Sequence, residues 1–117
     1  MALSKIQDEM LSLSGNACKA WVNFNGTGTV AIRDSFNVSS ITDNGTGDYT
    51  VNFTNAMSDA NYSISGCTSN DATGSTTNIN NNTDRGNQTT SAVNIKTGND
   101  TGAIHDVLYI TVHIFGN

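Results

Sequence analysis

Basic side chains are scarce in this sequence: five Lys and Arg stand against ten Asp and Glu in 117 residues, a formal net charge of −5. Five scattered cations cannot neutralise a phosphate track, so the chain is not expected to bind nucleic acid. Long apolar runs are also missing, so no stretch reads as a membrane span, and the N-terminus has no signal-peptide hydrophobic core. The two His are both near the end, and the two Cys, Cys18 and Cys67, are far apart, so neither forms a cluster with metal-ligand spacing. No glycine-rich phosphate loop leads from a strand into a helix. These absences set the expectation of a chain without catalytic residues, cofactor or metal, and without membrane insertion. Leu, Ile, Val and Phe together number 24, about a fifth of the chain, which is little for a core. A domain with so little apolar material can gain burial by sharing a core with copies of itself.

Asn (17), Thr (16), Ser (12) and Gly (11) fill almost half of the chain, and there is no Pro. Thr suits the exposed face of strands, and Asn and Gly suit tight turns, so the composition describes a neutral, hydrogen-bonding β surface. Eight N-x-S/T sequons follow from this richness alone and carry no weight. Cys18 and Cys67 could pair with each other, or be two small buried thiols of a protein made in a reducing cytoplasm.

Residues 2–14 read as a short helix, because Leu3, Ile6, Met10 and Leu13 fall on one stripe. Ser4 and Gln7 fit a capping box and Gly15 a C-terminal stop. A lone helix of about three turns is unstable in water and must pack on the domain or on copies of itself. The expected organisation is thus a helical stub over residues 1–15 and one β domain over 16–117. From residue 17 the period becomes two: Cys18, Ala20, Val22 and Phe24 face one way, Lys19, Trp21 and Asn23 the other. Asn25-Gly26 reads as a hairpin turn, and NGTG recurs at 44–47 before the alternation of Tyr49, Val51 and Phe53. Residues 17–54 therefore read as a four-strand meander in which Val30, Ile32, Phe36 and Val38 share a face. A fifth strand is expected at 62–67 and another at 91–97. The polar stretch 68–90 reads as a functional or mobile loop with room for a short edge strand at Ile79.

Segment 106–115 differs from the rest. Leu108, Ile110, Val112 and Ile114 make one face, and Val107, Tyr109 and Phe115, with Thr111 and His113 among them, make the other. A strand apolar on both sides is buried on both sides. Its second face packs either beneath the N-terminal helix or against a neighbouring subunit; Tyr109, Thr111, His113 and Phe115 are the candidate subunit contacts. Trp21, beside the amide of Asn23, is the candidate ligand contact, a flat ring able to stack on a sugar; an interface or core role is its alternative. His113 on a symmetry axis could gather metal, but a buried interface His is the simpler reading. Asp43 to Asp48 has the flavour of a calcium loop but lacks its later Glu and its ligand period, so a turn is expected.

The block CKAWVNFNGTGTVAIRDSFNVSSITDNGTGDYTVNF resembles a module near the C-terminal end of tail-fibre-like structural proteins of marine tailed bacteriophages, and ALSKIQDEML resembles openings of phage structural proteins. The likeness covers residues 17–67 well and 68–105 poorly, as a variable tip would. It implies a homotrimer located in the virion, made in the host cytoplasm and held with other virion proteins. The fold expected overall is all-β, an antiparallel β-sandwich of meander or jelly-roll type with a short N-terminal helix, assembled as a homotrimer. The function expected is a fibre or knob domain contacting a host-surface receptor or glycan. A purely structural trimerisation, capping or decoration module is the alternative, and a surface-polysaccharide depolymerase with paired carboxylates a more distant one.

Overall fold

The structure, a computed structural model, describes residues 17–69, 77–80, 88–99 and 103–116. Eight strands lie among the described residues: β1 (Cys18–Asn25), β2 (Ala31–Phe36), β3 (Val38–Gly45), β4 (Asp48–Phe53), β5 (Ser63–Ser69), β6 (Thr77–Asn80), β7 (Ala92–Asn99) and β8 (Tyr109–Phe115). They form two antiparallel four-stranded sheets, ordered β2-β1-β8-β5 and β3-β4-β7-β6. The all-β sandwich expected from the alternation is present. The predicted helix at 2–14 lies outside the described residues, as does most of the 68–90 stretch.

The core follows from period two. Ala20, Val22 and Phe24 of β1 and Ile110, Val112 and Ile114 of β8 point inward, meeting Tyr49, Val51 and Phe53 of β4 and Val93 and Ile95 of β7. Each fully buried Val, Ile or Phe contributes about 1.5–3 kcal/mol. Two edge-to-face ring pairs link the layers: Phe24 with Tyr49 at 5.3 Å and Phe53 with Tyr62 at 5.7 Å between ring centres. The short edge strand expected around Ile79 is β6.

The meander is corrected. β2 and β3 are consecutive but belong to different sheets, and the chain changes layer at Asn37. Asn37 has φ of 56°, the left-handed conformation that Asn tolerates better than most residues. Its side-chain amide donates to Lys19 O (3.0 Å) and Asn55 O (3.1 Å), and its Oδ1 accepts from Asn55 N (2.7 Å). One side chain thus ties β1 of the first sheet to the segment after β4 of the second. The hairpins β1–β2, β3–β4 and β6–β7 each stay in one sheet. The connections β2–β3, β4–β5, β5–β6 and β7–β8 all change sheet, so the order is not a meander.

The two NGTG turns also differ. The second is a two-residue loop, Thr46-Gly47, with Gly45 opposite Asp48. The first is a longer loop between β1 and β2. Gly26 is buried there, donates to Val107 O (2.9 Å), and leaves no room for a side chain: a Cβ would stand 2.5 Å from the Tyr49 hydroxyl. Three further expectations are corrected. Val107, placed by alternation on the outer face, is fully buried, because it precedes β8 and is not yet in its pleat. Phe36 is exposed because the register of β2 slips at a bulge opposite Asn23 and Phe24 and sets it opposite Trp21, and Ile32, still opposite Phe24, is exposed because β2 is an edge strand. The cysteines are both free, Cys18 half-buried and Cys67 exposed, so they are neither a disulfide nor two buried thiols.

Candidate functional site

Inward packing of Ala20, Val22, Phe24, Ile110, Val112 and Ile114 leaves the alternate residues of β1 and β8 on the outer face of the first sheet. Register then brings together residues that are far apart in sequence. Trp21 lies opposite Phe36 on one side and His113 on the other, and His113 lies opposite Ser65. The result is a row Phe36–Trp21–His113–Ser65 across all four strands. Asn23, Thr111 and Cys67 form the next row, and Phe115 and Tyr109 stand at the two ends of β8. Tyr109, Thr111, His113 and Phe115 therefore share one face with Trp21. Two separate sequence expectations, a subunit contact and a ligand contact, fall on a single surface.

The face is open and aromatic. Phe36 is 54% exposed, Tyr109 40% and Phe115 38%, while Trp21 and His113 are half-buried by their neighbours. The bulge in β2 adds Arg33. Its guanidinium lies 4.2 Å over the centre of the Tyr109 ring, donates to Leu108 O at 2.7 Å and reaches Asn23 Oδ1 at 3.3 Å. Thr111 Oγ1 accepts from Cys67 N and donates to Cys67 O, both at 3.3 Å, and the Cys67 Sγ is 3.1 Å from the same hydroxyl. Asn23, Arg33, Thr111 and Cys67 are thus engaged with one another or with the backbone, and the Phe36 and Phe115 rings are left exposed.

The outer face of the second sheet is the opposite in character. Asn52 Nδ2 donates to Thr42 Oγ1 (2.9 Å) and Ser40 Oγ (3.1 Å), and Asn44 Nδ2 to Thr50 Oγ1 (2.8 Å). Asn94 Nδ2 donates to Asp48 Oδ1 (2.7 Å), and Lys96 pairs with Asp48 Oδ2 at 3.8 Å. It is a ladder of hydroxyls and amides with no exposed ring among the described residues. The calcium-like turn at 43–48 belongs to this ladder. Asp43 Oδ1 accepts from Gly45 N (3.0 Å) and Asp48 is held by Asn94 and Lys96, which bears out the turn reading. No group of three or more His, Cys, Asp or Glu able to hold a metal is found among the described residues.

The two ends of the sandwich are closed by tyrosines. At one, the Tyr49 hydroxyl lies within hydrogen-bond reach of Asp106 Oδ1 and Gly26 O. Burial and then the Asp106 carboxylate raise the Tyr49 pKa well above the ordinary phenol value. At the other, the Tyr62 hydroxyl donates to Thr89 O (2.7 Å) or Ala92 O (3.1 Å), and burial pushes its pKa up to about 12. Beside it Ala60, Asn61, Tyr62 and Gln88 line an open pocket of about 310 Å³, which the Gln88 amide partly closes by donating to Ala60 O and Tyr62 O, both at 2.9 Å.

Sequence reasoning missed Phe36 and Arg33. Phe36 alternates in phase with the inward residues Val30 and Val38, and only the bulge puts it outside. Comparison with protein-family models, with curated proteins and with solved structures returns no match. No helix among the described residues is long and apolar enough to cross a membrane.

Proposed function

We propose that this chain is a virion module of the tail-fibre type that works by surface contact. It is built into a homotrimer and presents a neutral, hydroxyl- and amide-rich surface to a receptor or glycan on the host cell. The observation that supports this reading most is the opposite chemistry of the two outer faces: one suits being covered by protein, the other suits water and neutral polar ligands. The resemblance of residues 17–67 to phage fibre proteins points the same way. The test is adsorption. Purified protein at physiological salt is expected to bind susceptible host cells and to compete with virions for them; protein that does neither removes the receptor role.

A second reading has its own observation. The Asn, Thr and Ser side chains of the polar ladder bond to one another, which leaves fewer donors and acceptors free for a ligand. A trimerisation, capping or decoration module without a receptor would use such a surface only to stay soluble. An assembled protein that leaves adsorption untouched selects this reading.

A further inference from the structure

We infer that the aromatic outer face of the first sheet is where copies of this chain meet one another. This deepens the reading above by naming the partner of that face, and rests on it only in requiring several copies in one particle. The face exposes Phe36, Tyr109 and Phe115, with Trp21 and His113 between them, and none of these rings is needed by the chain's own core. Contiguous apolar patches of a few hundred Å² on a soluble domain mark interaction sites. Four strands at about 4.8 Å and seven residues at about 3.3 Å give a face of roughly 19 by 23 Å, or about 440 Å² before side-chain relief. Two such faces remove roughly 900 Å² from water, the size of a weak, reversible contact below the ~1,200 Å² at which stable interfaces begin.

The polar groups decide what kind of partner fits. A sugar is held by free donors and acceptors around a stacking ring, but here Asn23, Arg33, Thr111 and Cys67 are already engaged within the chain. A protein surface asks for exposed rings beside satisfied polar groups, and Phe36 and Phe115 are exposed rings on the same face as those engaged groups. Charge favours a copy of the same chain: Arg33 and Asp34 stand side by side at the bulge on one edge of the face, opposite charges that a second copy can match. The thin core supplies the driving force for sharing apolar surface.

The test uses the full chain, with light scattering for mass and the emission of Trp21, the sole Trp, as a reporter on the face itself. The expected mass at ~100 μM is a multiple of 12.3 kDa, with Trp21 emission shifting red on dilution. Phe36→Lys and Phe115→Lys are expected to weaken assembly by at least ~100-fold and give 12.3 kDa particles with unchanged circular dichroism. Thr42→Lys, on the polar face, is expected to keep the wild-type mass. A wild-type multimer that neither Phe substitution dissociates overturns the inference and leaves the proposed function standing. A wild-type monomer overturns both the inference and the multimeric part of that function. A monomer whose Trp21 emission turns red only when residues 1–14 are deleted assigns the face to the chain's own N-terminal segment. Quenching of Trp21 in a monomer by neutral oligosaccharides assigns it to a sugar, and either result overturns the inference.

Discussion

The Tyr49 hydroxyl stands 2.8 Å from Asp106 Oδ1, and through this pair the two NGTG turns are tied to one point. Asp106 Oδ1 also accepts from Gly47 N at 2.8 Å, in the second turn, and the Tyr49 hydroxyl is 2.9 Å from Gly26 O, in the first. The pair therefore clamps the β1–β2 loop, the β3–β4 turn and the approach to β8, three segments drawn from both sheets. Tyr49→Phe keeps the ring contact with Phe24 but leaves Gly26 O and Asp106 without the hydroxyl. A loss of about 1–3 kcal/mol is expected in urea unfolding, with an unchanged slope.

The same region predicts a contrast between two glycines. Gly47 has φ of +63°, and an added Cβ would lie 2.6 Å from Thr97 O and 2.8 Å from His105 N, both backbone atoms that cannot swing away. Gly28 has nearly the same φ, +60°, with nothing within 4 Å. Gly28→Ala is expected to cost only the left-handed penalty of about 1–2 kcal/mol, whereas Gly47→Ala adds the clash and costs roughly 3 kcal/mol or more. Equal unfolding midpoints for the two variants would contradict the described turn.

Asn37 offers a test of the change of sheet. Asn37→Gly relieves the positive φ but removes the three side-chain bonds to Lys19 and Asn55; Asn37→Ala loses both advantages. Both variants are expected to be less stable than wild type, Ala by about 1 kcal/mol more than Gly, in the same urea assay. A Gly variant as stable as wild type would show that the bonds contribute no more than the relief of the positive φ.

Alkaline titration reads the two buried tyrosines. Each has a folded pKa above its unfolded value near 10, so the folded state keeps a proton that the unfolded state releases. Their contribution is whole below pH ~10 and is lost as pH rises through the folded values, about 12 for Tyr62. Stability measured from pH 9 to 12 is expected to fall, and Tyr62→Phe is expected to flatten that slope.

Thiol labelling separates the cysteines. Cys67 is exposed and Cys18 half-buried, so dilute monomer is expected to show one fast and one slow thiol with a disulfide-exchange reagent. Cys67 lies in the same row as Thr111 on the aromatic face, so at concentrations where copies assemble its labelling is expected to slow. Equal rates at all concentrations would place Cys67 away from the contact.

The sequence by itself determined the β class, most strand positions and the inward sets Ala20/Val22/Phe24 and Ile110/Val112/Ile114. Alternation with period two is a local property, and it survives whatever the strands pair with. It also marked out Trp21 and residues 109–115 as surplus to a single core. Only the tertiary structure decided that these belong to one surface, because pairing of β1 with β8 and β2 is set by contacts distant in sequence. The bulge at Arg33 that turns Phe36 outward leaves no trace in hydropathy, since one inserted residue shifts the facing of those after it. The switch of sheets at Asn37 depends likewise on Lys19 and Asn55, each 18 residues away. The twin NGTG turns look alike in sequence and differ in space, because what they share is the Tyr49–Asp106 pair and not a common turn geometry.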